Sequence, residues 1–397
     1  MKIDIYKNKE RYLNWKETAQ NSDLKGLSKK NSDLIKRYIF DMENGLNVAT
    51  KCGKGSRSYT RLNTLRIRLC FLAKEFEQRY NIDNLANLTE EMLMSFFSSM
   101  RNGSIKRKDG KEYLSVADYV KCFKAFWHWH MKVNKKNGNE ILDITTDLDT
   151  SYTKPRWVYL NEEQFKKLCD NAKYEYRVLM MFLWDSGIRS PTELFNIKVS
   201  DLYNDCKEVY IREEVSKTFG RRIKLMLCSD FLRNYIKEKE LKPEDYLFKE
   251  INYYAANRYL QRLAKKLFGD KVSEAGKKFS ELTMYDFRHC SCCYWLPRYK
   301  SESALKYRFG WKKSDKIHYY SEMLGMKDTI SEEDLLVDKT KTEIEQRLTE
   351  TEKENTILKD KITFMENKME EIQRLTNILY NQMARKEEKI ASKEFQK

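Results

Sequence analysis

Asp185-Ser186-Gly187-Ile188-Arg189-Ser190-Pro191-Thr192-Glu193-Leu194 is the stretch on which the fold turns. An apolar run, Tyr174 to Asp185, reads as a helix that stops at Gly187. Pro191 is a favoured first-turn residue, so a new helix is predicted from there. Arg189 is thus held at a tight junction between helices. A second arginine occupies a similar place in Tyr285-Asp286-Phe287-Arg288-His289, at the start of a helix predicted over 284–296. Arginine is permanently charged and forks onto phosphate oxygens, though either one alone also reads as a structural ion-pair residue.

Outward from this junction, Asn161 caps a helix, and residues 208–213 and 221–227 read as strands joined around Thr218-Phe219-Gly220. Further helices are predicted near 229–240, 253–268, 302–309 and 314–323. Toward the N-terminus, residues 1–29 are polar and read as an arm. Asn31 and Ser32 then cap a helix running to about Leu46. Ser58 to Tyr80 places Leu62, Leu65, Leu69, Leu72 and Ala73 near helical spacing. Thr89 opens a third helix, with Glu90 and Glu91 at its positive end, and Ser115 opens a fourth, rich in aromatics. Residues 137–157, with Asn-Gly-Asn and Lys154-Pro155, contain the linker, placed at 149–157. The expected layout is a helical domain over 30–148 and an α+β domain over 158–330.

Of 397 residues, 41% are apolar and only four are proline, which argues for real cores and a mainly helical chain. Lysine and arginine exceed the acids by 76 to 60, a net +16 that suits a polyanionic partner. The cations cluster. Arg57, Arg61 and Arg66 lie at or in the second helix, Lys106, Arg107 and Lys108 precede the fourth, and Lys121 and Lys124 lie within it. These eight are the candidate DNA-facing residues, with a solvated face as the plain alternative. The nine cysteines show no CxxC pair, and Cys290, Cys292 and Cys293 lack a ligand set for zinc, so buried thiols are expected. No signal-peptide core and no run of 18 apolar residues occurs, which points to a soluble, cytoplasmic, nucleoid-associated protein without a membrane partner.

The last 55 residues change character. Leu348, Asn355, Ile362, Met369, Thr376 and Met383 fall at heptad position a. Ile344, Thr351, Leu358, Met365, Ile372 and Leu379 fall at d. A coiled coil over 341–390 is predicted, with Asn355 favouring a parallel dimer in one register.

Taken together, these elements resemble the tyrosine recombinase (phage integrase) family. Its first box, roughly Gly-x-Arg-x-x-Glu-Leu and then Leu-x-x-x-Asp, appears as Gly187-Ile188-Arg189 through Glu193-Leu194, Ile197 and Asp201, with one extra residue before Glu193. The family's hairpin lysine is matched by Lys217. Its His-x-x-Arg-His box is matched by Arg288-His289, with Tyr285 in place of the first histidine. Gly310-Trp311 matches the next step, and Tyr320 lies nine residues beyond Trp311. The resemblance covers about 158–328, and more loosely 30–140. The Gly-Trp step and the run from Tyr320 look most like archaeal members.

The resemblance implies a mostly α fold with a small antiparallel sheet. A helical core-binding domain and an α+β catalytic domain would clamp double-stranded DNA, with four protomers in the synapse. It implies Tyr320 as a nucleophile forming a 3′-phosphotyrosine, Arg189 and Arg288 as phosphate ligands, Lys217 as general acid and Trp311 as a hydrogen-bond donor to a phosphate oxygen. His289 is a candidate for hydrogen bonding or proton transfer, and Tyr285 for positioning the phosphate. No cofactor or metal is implied. Tyr319 adjoins Tyr320, but on a helix the two point about 100° apart, so only one faces the arginines. The rivals are a topoisomerase of the same chemistry and a non-cutting DNA-binding protein on the same fold.

Overall fold

The computed structural model describes residues 2–49, 52–152, 154–299 and 301–324, together with 351, 362, 365–366, 368–374 and 376. The chain divides into two units, residues 1–325 and 326–397. The first holds two apolar cores, one drawn from Tyr12 to Leu148 and one from Trp157 to Tyr320. Its described residues are mostly helical, as the composition predicted, with a single three-stranded antiparallel sheet.

Helices α1 (Asn8–Asn21), α2 (Lys29–Asn44), α3 (Tyr59–Tyr80), α4 (Glu90–Arg101) and α5 (Val116–Lys136) form the first core. Helix α3 packs against α1, α2 and α5 through Leu62, Leu65, Leu69, Leu72 and Phe76, one stripe at three- and four-residue spacing. Phe76 meets Phe96 at 4.6 Å and Phe123 at 5.9 Å between ring centres. Fully burying each such ring contributes about 1.5–3 kcal/mol. The buried Trp129 indole donates to Asp41 at 2.8 Å, so its one polar atom is satisfied.

Two expectations for this region need correction. The polar start is not a loose arm: residues 8–21 form α1, which buries Tyr12 and Ala19 against the core. The preceding segment reaches the second core, where the Ile3 amide donates to Asn196 at 2.6 Å. The cap of α2 is Ser28, not Asn31 or Ser32. Those two are fully buried ties: Asn31 donates to Glu77 and accepts from the Leu85 amide, while Ser32 accepts from the Leu24 amide.

The second core is built from α6 (Glu162–Asp170), α7 (Tyr174–Ser186), β1 (Leu202–Tyr203), β2 (Glu208–Ile211), β3 (Arg221–Lys224), α8 (Ser229–Glu238), α9 (Tyr253–Phe268), α10 (Asp286–Trp295), α11 (Glu302–Phe309) and α12 (Asp315–Met323). Asn161 caps α6 in a reciprocal pair with Gln164. Helix α7 is central, packing on α6, α8 and α10. The sheet order is β1-β2-β3, with Val209 opposite Ile223 and Ile211 opposite Arg221.

Both main strands end earlier than predicted. Arg212 turns out of the ladder to Asp201 and the Asn196 carbonyl. The amides of Met226, Leu227 and Cys228 all donate to the Asp185 carboxylate instead of a strand partner. No helix begins at Pro191 either. The chain makes a tight turn, with Glu193 and Leu194 amides returning to the Arg189 carbonyl, and then one 3-10 turn over Leu194–Asn196.

Of the predicted coiled coil over 341–390, most lies outside the described residues. Those described within it are helical, and Ile362, Met365, Met369 and Ile372 are exposed. Among the described residues no helix is long and apolar enough to cross a membrane.

Candidate active site

The site grows from two helix ends. Helix α7 stops at Gly187 with φ 61°, and a Cβ there would lie 2.4 Å from Phe309 Cε1 and 2.8 Å from Ser291 Oγ, so only glycine fits. Helix α11 stops at Gly310 with φ 60°. The carbonyls left unpaired at such ends carry partial negative charge and attract cations. Arg288, on α10, donates from Nη1 to the Gly187 carbonyl and from Nη2 to that of Phe309. Arg189 donates from Nη2 to the Gly310 carbonyl at 2.9 Å. The two arginines expected from the sequence are therefore set side by side by main-chain oxygens. Arg288 is 4% exposed, and burial, reinforced by the neighbouring Arg189, pushes its pKa down to about 10. It still carries its charge at neutral pH.

Arg189 is further held by Glu193, whose Oε1 lies 2.7 Å from Nη1. The other Glu193 oxygen pairs with Arg221 at 2.8 Å, and both of those side chains are essentially sealed from water. Burial alone would raise the Glu193 pKa, but Arg221 and then Arg189 outweigh it and hold it at about 2. Arg221 also donates from Nε to the Arg308 carbonyl at 2.9 Å. Glu193 thus ties the α7–β1 junction to the hairpin and, through Arg221, to α11.

Tyr320 is 3% exposed on α12. Its hydroxyl pairs with Nδ1 of His289, which projects from α10 beside Arg288. Trp311 stacks on Tyr320 at 5.9 Å and 12°, and on Phe309 at 4.9 Å. Trp157 stacks on the other ring, His289, at 4.7 Å and 24°. Burial pushes the Tyr320 phenol up from its ordinary value, with Arg288 opposing. Burial, then Arg288, pushes His289 down to about 3, so the imidazole is neutral and its Nδ1 can accept the hydrogen bond of the Tyr320 hydroxyl.

Arg189, Arg288, His289, Trp311 and Tyr320 are thereby brought together. Tyr285 sits at the rim, 47% exposed, with its ring edge-on to His289 at 5.3 Å. Lys217 is exposed in the hairpin loop, and its neighbour Thr218 pins that loop by donating to the Gly310 carbonyl at 3.0 Å. Tyr319 packs against the second core and accepts a hydrogen bond from the Trp157 indole. His318 is exposed, His128 pairs with Asp143 and His130 is buried among rings. Cys290, Cys292 and Cys293 are buried free thiols, while Cys52 is exposed.

The candidate DNA-facing cations fall into two groups. Arg61, Lys106 and Lys108 are exposed, as is Arg107, which pairs with Asp109, while Arg57 is half-buried and reaches the Gly53 carbonyl. Arg66, Lys121 and Lys124 are already engaged: Arg66 with Asn63 and the Trp15 ring, Lys121 over Tyr152 at 3.6 Å, and Lys124 with the Thr145 and Thr146 carbonyls. Arg221 and Trp157 were missed. The signal for Arg221 was present, since in a strand whose residues alternate Arg221 shares the inward face with Ile223. Nothing in the local pattern marks Trp157.

No protein-family model matches the chain, and no curated protein matches it. Solved structures do. The likeness to a lambda integrase dimer bound to a COC′ core site has a TM-score of 0.54 at 14% identity, covering 75% of this chain and 79% of that one. For the Tn1549 transposon integrase in complex with transposon right end DNA the TM-score is 0.55 at 14% identity, covering 80% of this chain and 99% of that one. The shared three-stranded sheet, helical surround and chain coverage establish that this protein is built on the tyrosine recombinase fold.

Proposed function

We propose that the protein is a site-specific DNA recombinase that cuts and rejoins strands through a 3′-phosphotyrosine on Tyr320. The observation that carries this reading is the buried Tyr320 hydroxyl paired with a neutral His289, beside two arginines oriented by main-chain carbonyls. A DNA phosphodiester between Arg189 and Arg288 would have its non-bridging charge neutralised as it grows in the transition state. Tyr320 Oη attacks phosphorus, and its proton passes to His289 Nδ1. The anionic phosphate itself raises the basicity of His289 as it enters. The bond from phosphorus to the 5′ oxygen breaks, and Lys217 protonates the leaving oxygen. A 5′-hydroxyl from a second strand reverses the sequence and releases Tyr320. Trp311 borders the same space and offers its indole N–H to a phosphate oxygen, while Tyr285 guides the phosphate from the rim.

Arg57, Arg61, Lys106, Arg107 and Lys108 serve as backbone contacts on duplex DNA, which suits the net charge of +16. The exposed Ile362, Met365, Met369 and Ile372 occupy successive a and d positions and serve self-association, as a dimer that pairs into a tetramer at the synapse. Deleting residues 341–397 should lower the oligomer mass, and an unchanged mass would refute that role.

Covalent trapping tests the central reading. The protein is incubated with DNA from its source and denatured, and linked fragments are recovered and their ends sequenced. Adducts at a few discrete sites are the expected result. Adducts spread over all sequences would favour a topoisomerase, and none would favour a protein that binds DNA without cutting it.

A further inference from the structure

Two tyrosines adjoin on α12, and only Tyr320 meets His289. Tyr319 is fastened to the segment that joins the two cores. The Trp157 indole donates to the Tyr319 hydroxyl at 2.8 Å, and that hydroxyl donates to the Pro155 carbonyl at 3.1 Å. The same Trp157, 2% exposed, stacks on His289 and meets Tyr320 nearly edge-on at 6.2 Å and 74°. One residue before Pro155, Lys154 pairs with Glu322 of α12 at 2.6 Å, although an exposed pair adds little by itself. Successive side chains on a helix diverge by about 100°, so fixing the direction of Tyr319 fixes that of Tyr320.

We propose that Tyr319 is a positioning residue: bound to Trp157 and Pro155, it sets the rotation of α12 that delivers Tyr320 to His289, so that presentation of the nucleophile depends on the segment 154–157 between the cores. The proposal rests on the reading of Tyr320 as nucleophile. Its consequence is that the connection between the two cores is part of the reactive centre. A shift of the helical half on DNA is passed through Pro155 and Trp157 to both members of the Tyr320–His289 pair. The ionisable groups around His289 are Arg288 from α10, Tyr285 just before it, Tyr320 and Lys316 from α12, and Lys277 from the loop before α10. Burial first, and then the three cations among them, keep it neutral. Loosening the Trp157 stack admits water, which acts in the opposite direction.

The chain has four histidines, so full-length protein labelled with 13C at histidine Cε1 gives four signals, and His289→Gln identifies the one that matters. In the wild type that signal stays in its neutral position well below the ordinary value of about 6.5. Tyr319→Phe and Trp157→Phe each remove the shared hydrogen bond and should move its titration upward. Both should slow covalent adduct formation on fragmented DNA from the source about tenfold while retention of a mixed-sequence duplex stays the same. The double variant should lose less than the two single losses combined, because both cut the bond between Trp157 and Tyr319. A His289 titration unmoved in both single variants would overturn the proposal, whatever the adduct data. Adducts that persist in Tyr320→Phe would instead overturn the nucleophile assignment, and the histidine signal would still decide whether Tyr319 holds α12 in place.

Discussion

The two cores of the first unit use cations in opposite ways. Around the first core, Arg61, Lys106 and Lys108 stand in solvent. In the second, Arg221 and Arg288 are buried, Arg189 is mostly so, and each is fixed by carbonyls or by Glu193. The residue type is shared, and the surroundings separate the roles. An exposed lysine is a mobile point charge that adds a little attraction for any polyanion. A buried arginine whose remaining donors are committed to main-chain oxygens cannot reorient, so it is already in place when charge develops.

The comparison is broken most severely at the buried cations. Arg288→Ala should lower the rate of adduct formation by about 10²–10³-fold, the usual loss for one transition-state donor, measured as single-turnover cleavage. Retention of duplex DNA should fall far less. Equal losses in both would mean that Arg288 is only a binding residue.

Glu193→Gln should destabilise the fold by about 3–5 kcal/mol, because it leaves Arg221 buried without its counter-charge. The pH dependence has a defined sign. Glu193 is held at about 2 in the fold, below its ordinary 4.5, so its contribution is present above about 4.5 and is lost as pH falls toward 2. That contribution amounts to about 3 kcal/mol. Urea unfolding across this window should show the loss in wild type and not in Glu193→Gln.

The smallest effects sharpen the contrast within the first core. Lys124 is bonded to the Thr145 and Thr146 carbonyls, so Lys124→Ala should cost about 1 kcal/mol of stability and change DNA affinity little. Lys108 is exposed, so Lys108→Ala should leave stability unchanged and reduce the salt slope of DNA binding by about 1. The reverse pattern in filter binding and thermal melts would show that the bonded lysines are released to DNA.

Local signals were legible where one residue's own chemistry decides the outcome. Thr89 and Asn161 cap the helices they were expected to cap, and Gly187 ends α7. Legibility stopped where a distant partner decides. Asn31 and Ser32 look like caps but serve Glu77, Leu85 and Leu24. The strand predicted through 227 is cut short by the Asp185 carboxylate, and the helix predicted from Pro191 gives way to a turn closed on the Arg189 carbonyl. In the site, the ordered boxes pointed to Arg189, Arg288, Trp311 and Tyr320. The proton acceptor stood open, with His289 as the one candidate, and only the approach of α12 to α10 puts His289 against Tyr320. Trp157 was invisible for the same reason: every contact that matters to it comes from another part of the chain.

The atom that becomes bonded to DNA is the most direct test of Tyr320 as nucleophile. Trapped protein–DNA complexes digested with nuclease and protease would leave a nucleotide remnant on one peptide, which mass spectrometry can place. The remnant is expected on Tyr320, with no adduct from Tyr320→Phe. A remnant on Tyr319, or on any residue outside α12, would contradict the assignment of Tyr320 as nucleophile.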